Sequence, residues 1–209
     1  MKAMCNASPL IYLAKMGRLG LLKRLFVKVF VSRQVFEETV ETGRREGYSD
    51  AALIAQAARE GWVIVEDAET GELTAFAPEL DEGEAATLDL AKKLGADIVI
   101  IDDASGRTVA KGLGLNAKGT VYVLLLAYRK KLLSGREAKQ ALAELVAAGF
   151  RLAPELYSKA INEIDETEPE QDLFGTSRGK IDTRGLRDHH DRRFRLPRRN
   201  KKTRKIAGR

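Results

Sequence analysis

Through residue 164 the apolar positions switch repeatedly between extended and helical spacing. Ala3, Met4 and Cys5 make a short apolar start that reads as a first strand. Residues 28–31 (KVFV) and 62–65 (WVIV) are β-branched or aromatic and predict two more. Residues 97–101 (DIVII) show no alternation, so that strand is expected to be buried on both faces. Residues 115–117 read as a further short strand. Helical segments fill the gaps. Pro9 is placed as the first residue of a helix with Ser8 as its N-cap, and Leu10, Ile11, Leu13 and Ala14 form the apolar face. Residues 19–26 form a second helix. Ser32 caps a third that runs to about Thr42 and stops at Gly43. Ser49 opens another, ending at Gly61. Residues 82–94 are a helix stopped by Gly95. Further helices are expected from near Asp103 to Gly112, over 121–131, from the Ser134/Glu137 capping box to about 148, and over 154–164. Residues 66–78 read as polar and irregular.

Strands spaced by helices imply an α/β domain with a central parallel sheet and right-handed crossovers. This domain is assigned to residues 1–164. After Ile164 the character changes: an acidic block (Glu163, Asp165, Glu166, Glu168, Glu170, Asp172) leads into a basic end, RRFRLPRRNKKTRK. Residues 165–209 offer few apolar side chains, so burial there cannot offset the entropy of ordering, and a disordered C-terminal tail is expected.

Charge sharpens that division. Residues 176–209 carry 14 Lys and Arg against 3 Asp and Glu, a net +11; with +6 for the whole chain, residues 1–175 carry +6 − 11 = −5. An acidic body with a basic arm suggests nucleic-acid binding through the arm, by Arg192, Arg193, Arg195, Arg198, Arg199, Lys201 and Lys202. The apolar runs are far shorter than the roughly 18 residues of a membrane span. The start reaches Asn6 without an apolar signal core. No membrane association and a cytoplasmic location are expected. The single cysteine, Cys5, cannot form an internal disulfide and reads as a small buried hydrophobe.

The body contains no histidine, since His189 and His190 both lie in the tail. Nucleophile schemes that need a histidine base are therefore disfavoured there. There is no Walker A pattern, and the G-x-G-x-x-A match at Gly112, Gly114 and Ala117 follows a helix where a dinucleotide site needs a strand. What remains is carboxylate. Asp102 and Asp103 follow the DIVII strand, and ligands in parallel sheets bind beyond the carboxyl ends of strands. Asn6 and Ser8 stand in the same position after the first strand. Glu84 lies in the first turn of one helix, and Glu38 lies inside another, one turn beyond Gln34. Two carboxylates about 4 Å apart repel by roughly 4 kcal/mol at an effective dielectric near 20. A hard divalent ion removes that cost. Each residue also has a plainer reading: Asp102 and Asp103 as helix caps, Glu84 as a partner of the helix dipole, Glu38 as a surface residue, Asn6 with Ser8 as an Asx-type turn. Arg107 is either a solvated cation or an orienter of a carboxylate.

Taken together, NASPLIYLAKMGRLGLLKRLF, VSRQVFEETV, DEGEAATLDLAKKLGADIVIIDDASGRTVAKGLGL and KGTVYVLLLAYRKKLL resemble a PIN domain of the VapC toxin type, within a PIN-like subgroup of undefined function. The resemblance covers about residues 3–150 and is most specific between Gly83 and Gly119. It implies a three-layer α/β/α PIN-like fold and hydrolysis of RNA with Mg²⁺ or Mn²⁺, leaving 5′-phosphate and 3′-hydroxyl ends. On this resemblance Asn6 stands where the first Asp is usual, Glu38 at the second acidic position, Glu84 at the third, and Asp102 at the fourth with Asp103 beside it. The metal ligands it implies are Asn6, Glu84, Asp102 and Asp103, and Ser8, Arg107 and Thr120 are expected at the substrate. Asn6 departs from the pattern: its amide oxygen can ligate a metal but brings no charge. A cognate antitoxin and a homodimer are implied partners beside RNA. Two alternatives to an endoribonuclease are a catalytically weak PIN scaffold that binds RNA or a protein, and an α/β nucleotide-binding or signalling domain.

Overall fold

A computed structural model describes residues 1–45, 47–68, 73 and 77–167. The expected disordered tail beyond Thr167, its basic residues and most of the irregular stretch before Ala77 lie outside them, whereas residues 165–167 are helical. All described residues belong to one unit, Met1–Gln171.

Five parallel strands form the sheet: β1 (Lys2–Cys5), β2 (Lys28–Ser32), β3 (Val63–Glu66), β4 (Ile98–Ile100) and β5 (Ala117–Lys118). Their order is β3-β2-β1-β4-β5. The chain walks outward from β1 to β3, then returns to the other side of β1, so β1 and β4 flank the point where direction reverses. Cys5 pairs in register with Ile100, which brings the residues after both strands to the same edge. Asn6 N–H extends the pairing by donating to Ile100 carbonyl at 2.9 Å.

Side-chain alternation builds the layers. Ala3, Cys5, Val29, Val31, Ile98 and Ile100 face one core, with α1 (Ala7–Lys15), α2 (Gly20–Leu25), α5 (Ser49–Arg59), α8 (Thr120–Arg129), α9 (Gly135–Ala147) and α10 (Pro154–Thr167). Met4, Phe30, Val99 and Ile101 face the other, with α6 (Glu82–Leu94) and α7 (Ala104–Gly112). The result is the three-layer α/β/α arrangement. Ile98 to Ile101 are fully buried, as an unalternated central strand requires. Among the described residues, no helix is long and apolar enough to cross a membrane.

Several boundaries differ from expectation for local reasons. Helix α1 begins at Ala7 with Asn6 as its N-cap, so Ser8 lies within its first turn instead of capping it. After Ser32, whose hydroxyl accepts from Val35 N–H, α3 (Arg33–Phe36) passes into a π-helical stretch, Glu37–Thr42, and then α4 (Gly43–Arg45). Thr39 hydroxyl donates to the Val35 carbonyl at 2.8 Å, competing for the acceptor that an α-helix would give to the Thr39 amide. Gly43 does not stop the helix. A Cβ there would sit 2.9 Å from Ala51 Cβ, so glycine permits close approach to α5. Helix α10 continues to Thr167, where Thr167 hydroxyl donates to Glu163 carbonyl and Lys139 pairs with Asp165. Ser134 and Glu137 form the expected capping box, and Gly95 ends α6 with a φ of 58°.

Candidate metal centre

The β1 and β4 ends deliver Asn6 and Asp102 to the reversal point of the sheet, where open α/β folds hold their ligands. Asp102 is clamped from below. Thr120 N–H donates to its Oδ1 at 2.7 Å and Thr120 hydroxyl to its Oδ2 at 2.6 Å. The approach needs glycine beside it: a Cβ on Gly119 would lie 2.7 Å from Asp102 Oδ1. Arg107, one turn into α7, donates to the Asp102 carbonyl. Burial pushes the Asp102 carboxyl above its ordinary value, while the Thr120 hydrogen bonds and the Arg107 charge pull it back. Burial, then the Asp102 charge, raises the thiol of Cys5, which is fully buried as expected of a small hydrophobe.

Helix α6 carries the second group. Asp81 caps it: Glu84 N–H donates to Asp81 Oδ1 at 2.7 Å, and Asp81 N–H donates to Glu84 Oε2 at 3.3 Å. Glu84 is only 6% exposed. Its carboxyl is pushed from 4.5 to about 7, chiefly by burial, then by Asp81, with Asp103 and Glu38 adding repulsion. Glu84 Oε1 lies 3.5 Å from the place a Gly106 Cβ would occupy, so it faces the start of α7. Asp103 caps α7, its Oδ1 accepting from Ser105 and Gly106 N–H at 2.7 and 3.0 Å. Glu38 is an exposed residue, yet its Oε2 lies 3.6 Å from the Gly83 Cβ position, and burial and Asp81 both raise its carboxyl. Asn6 Oδ1 accepts from Thr87 hydroxyl at 3.3 Å, three residues along α6 from Glu84. The Asn6 side chain makes no cap bond, so the Asx-type turn is not formed.

Glu38, Asp81 and Asp103 therefore all lie within electrostatic reach of Glu84, while Asp102 and Asn6 stand at the two neighbouring strand ends. Asp81 joins them and was not singled out from the sequence; the Asp-x-x-Glu capping pattern before the helix was its signal. Thr120 is fully buried, with its amide and hydroxyl both on Asp102. Arg107 is exposed. Ser8 is half-buried, and its side chain makes no hydrogen bond among the described residues. The tail residues proposed for RNA lie outside the described part.

The donors are hard oxygens, the chemistry Mg²⁺ and Mn²⁺ prefer. Among the described residues, no three Asp, Glu, His or Cys side chains stand together as a ready-made metal shell. Mg²⁺ does not require one, because it usually keeps several waters and uses one or two carboxylates with substrate phosphate oxygens. Gln34 Oε1 is a buried acceptor that no described residue serves, on the same face as Glu38 one turn earlier. The like charges around Glu84 make the same demand for positive charge or for donors. A family model described as PIN domain matches residues 2–166. No curated protein and no solved structure matched the chain.

Proposed function

This chain belongs to the PIN-domain family, a nuclease fold, and on that basis we propose that it is an endoribonuclease dependent on Mg²⁺ or Mn²⁺. The observation that carries the reading is Glu84. A nearly buried carboxyl pushed to about 7 by burial and by acids from three other places in the chain is a group waiting for a cation. Asp102, Asp103, Glu84 and Asn6 would hold the metal. When bound, such an ion lowers the pKa of its water and offsets charge on the phosphoryl oxygens.

The chain's own residues do the rest. Thr120 fixes both oxygens of Asp102, as outer-shell partners commonly do. Arg107 braces the Asp102 turn and keeps an exposed cation beside it for phosphate. Glu38, whose carboxyl is raised by burial and by Asp81 and which is not among the metal ligands, is suited to take the proton of an attacking water. Cleavage would leave 5′-phosphate and 3′-hydroxyl ends. The basic tail would add sequence-independent, salt-sensitive affinity for RNA. A homodimeric VapC-like toxin with a cognate antitoxin and a cytoplasmic RNA-processing enzyme are both compatible settings.

A second reading, a catalytically weak scaffold for RNA or a protein, draws on Asn6, which is neutral at the central strand end. Cleavage of single-stranded RNA in Mn²⁺ decides between them. Asp102→Asn is expected to abolish Mn²⁺-dependent cleavage while leaving the melting temperature near that of the intact chain. Equal rates for the two proteins would favour the scaffold.

A further inference from the structure

We infer that the pocket between α1, the π-helical stretch and the start of α5 receives a guanine base of single-stranded RNA beside the bond to be cut. This rests on the ribonuclease reading above. The pocket encloses about 250 Å³ and is walled by Ile11, Lys15, Glu38, Thr42, Tyr48 and Asp50. That is just under the roughly 300–1,000 Å³ of sites for drug-sized ligands, so it suits one flat ring system and not a whole nucleotide. Glu38 belongs both to this pocket and to the acid cluster, which joins recognition to the metal centre.

Asp50 identifies the ligand's chemistry. It is 5% exposed, lines the pocket, and its carboxylate has no hydrogen bond or ion pair among the described residues. In the first turn of α5, this carboxylate opens only into the pocket, so a ligand that enters and displaces its water must replace the donors that water supplies. Its charged side chains are Lys15, Glu38 and Asp50, +1 − 2 = −1, which disfavours a phosphate inside. Tyr48 supplies an aromatic face, with the Lys15 ammonium 5.7 Å from the ring centroid. Aromatic stacking with hydrogen bonds to the Watson–Crick edge is how proteins read unpaired bases. Guanine alone presents two adjacent donors there, N1–H and the N2 amino group, matching the two oxygens of one carboxylate. Uracil offers a single donor between acceptors. Adenine and cytosine set one amino group beside an acceptor nitrogen that would face the carboxylate.

The test uses the full chain, titrated with guanosine, inosine and uridine in EDTA and followed by backbone amide NMR. Guanosine is expected to shift Ile11, Thr42 and Tyr48. Inosine, lacking the N2 amino group, should bind on the order of tenfold more weakly, and uridine weaker still. Asp50→Asn should lose guanosine affinity by a similar factor. Tyr48→Ala, at a residue 52% exposed, provides a second variant whose fold is not at stake and should also weaken binding. Equal binding of the three nucleosides, or shifts only elsewhere, overturns the assignment. Guanosine binding without any Mn²⁺-dependent cleavage keeps the pocket and removes the nuclease reading. Cleavage with no guanine preference and no guanosine binding does the reverse.

Discussion

Glu84 and Asp103 each do two things at once. Both cap helices, and both contribute to one acidic cluster. From the sequence, a helix-terminus role (cap for Asp103, dipole partner for Glu84) and a ligand role stood as alternatives, because an acidic residue at a helix start suits both. Only coordinates show that the capping geometry aims the charges at one another. Glu84 has a consequence for stability. It is protonated in both states below 4.5; between 4.5 and about 7 only the folded state keeps the proton. Its contribution is therefore present at low pH and is lost as pH rises through about 7. Glu84→Gln should flatten that fall in thermal melts between pH 5 and 8, and Mn²⁺ should raise the melting temperature of the intact chain more at pH 8 than at pH 5. A pH profile unchanged by the substitution would contradict the assignment.

Gly106 offers a second test at this scale. A Cβ there would lie 2.3 Å from Cδ1 of the fully buried Ile101. Gly106→Ala should cost about 1–3 kcal/mol through overpacking, read from urea unfolding. Ile101→Val removes the obstructing Cδ1, so the double substitution should cost less than the two single costs summed. Strict additivity would show that the contact is not what limits the site.

Among the elements, strands and most helices followed directly from periodicity and caps: Ser32, the Ser134/Glu137 box and Gly95 all act where expected. The π-helical stretch was not legible. Its causes are a hydroxyl bond from Thr39 and a helix contact at Gly43, and a glycine in a sequence looks the same whether it ends a helix or lets one pass close by. Thr120 was legible as a site residue, but its bond to Asp102 was not, since that partner lies 18 residues away across a strand. Its tight hold on Asp102 predicts that Thr120→Val lowers Mn²⁺-dependent cleavage by about 10–100-fold, less than Asp102→Asn does. Kinetics at saturating Mn²⁺ check the order; a Thr120→Val enzyme as fast as the parent would leave the clamp without a function.

For the whole molecule, alternating strands and helices predicted a parallel sheet, but strand order depends on crossovers that no local pattern records. The same is true of the pocket, whose walls come from three separate segments. The charge division, by contrast, is fully written in the sequence. Removing residues 176–209 should leave the melting temperature unchanged, weaken RNA binding at low salt and flatten its salt dependence, since the tail carries +11 against −5 for the rest. Fluorescence anisotropy at two salt concentrations measures this, and an unaltered slope would count against the arm. The strand order also has a consequence for biosynthesis. The strand made first, β1, lies in the middle, and Asn6 must wait for Asp102 and Thr120 to leave the ribosome. On the proposed ribonuclease reading, a translation product broken off before that point would lack the assembled site and spare the transcripts around it, so cutting would begin only after most of the domain has been made.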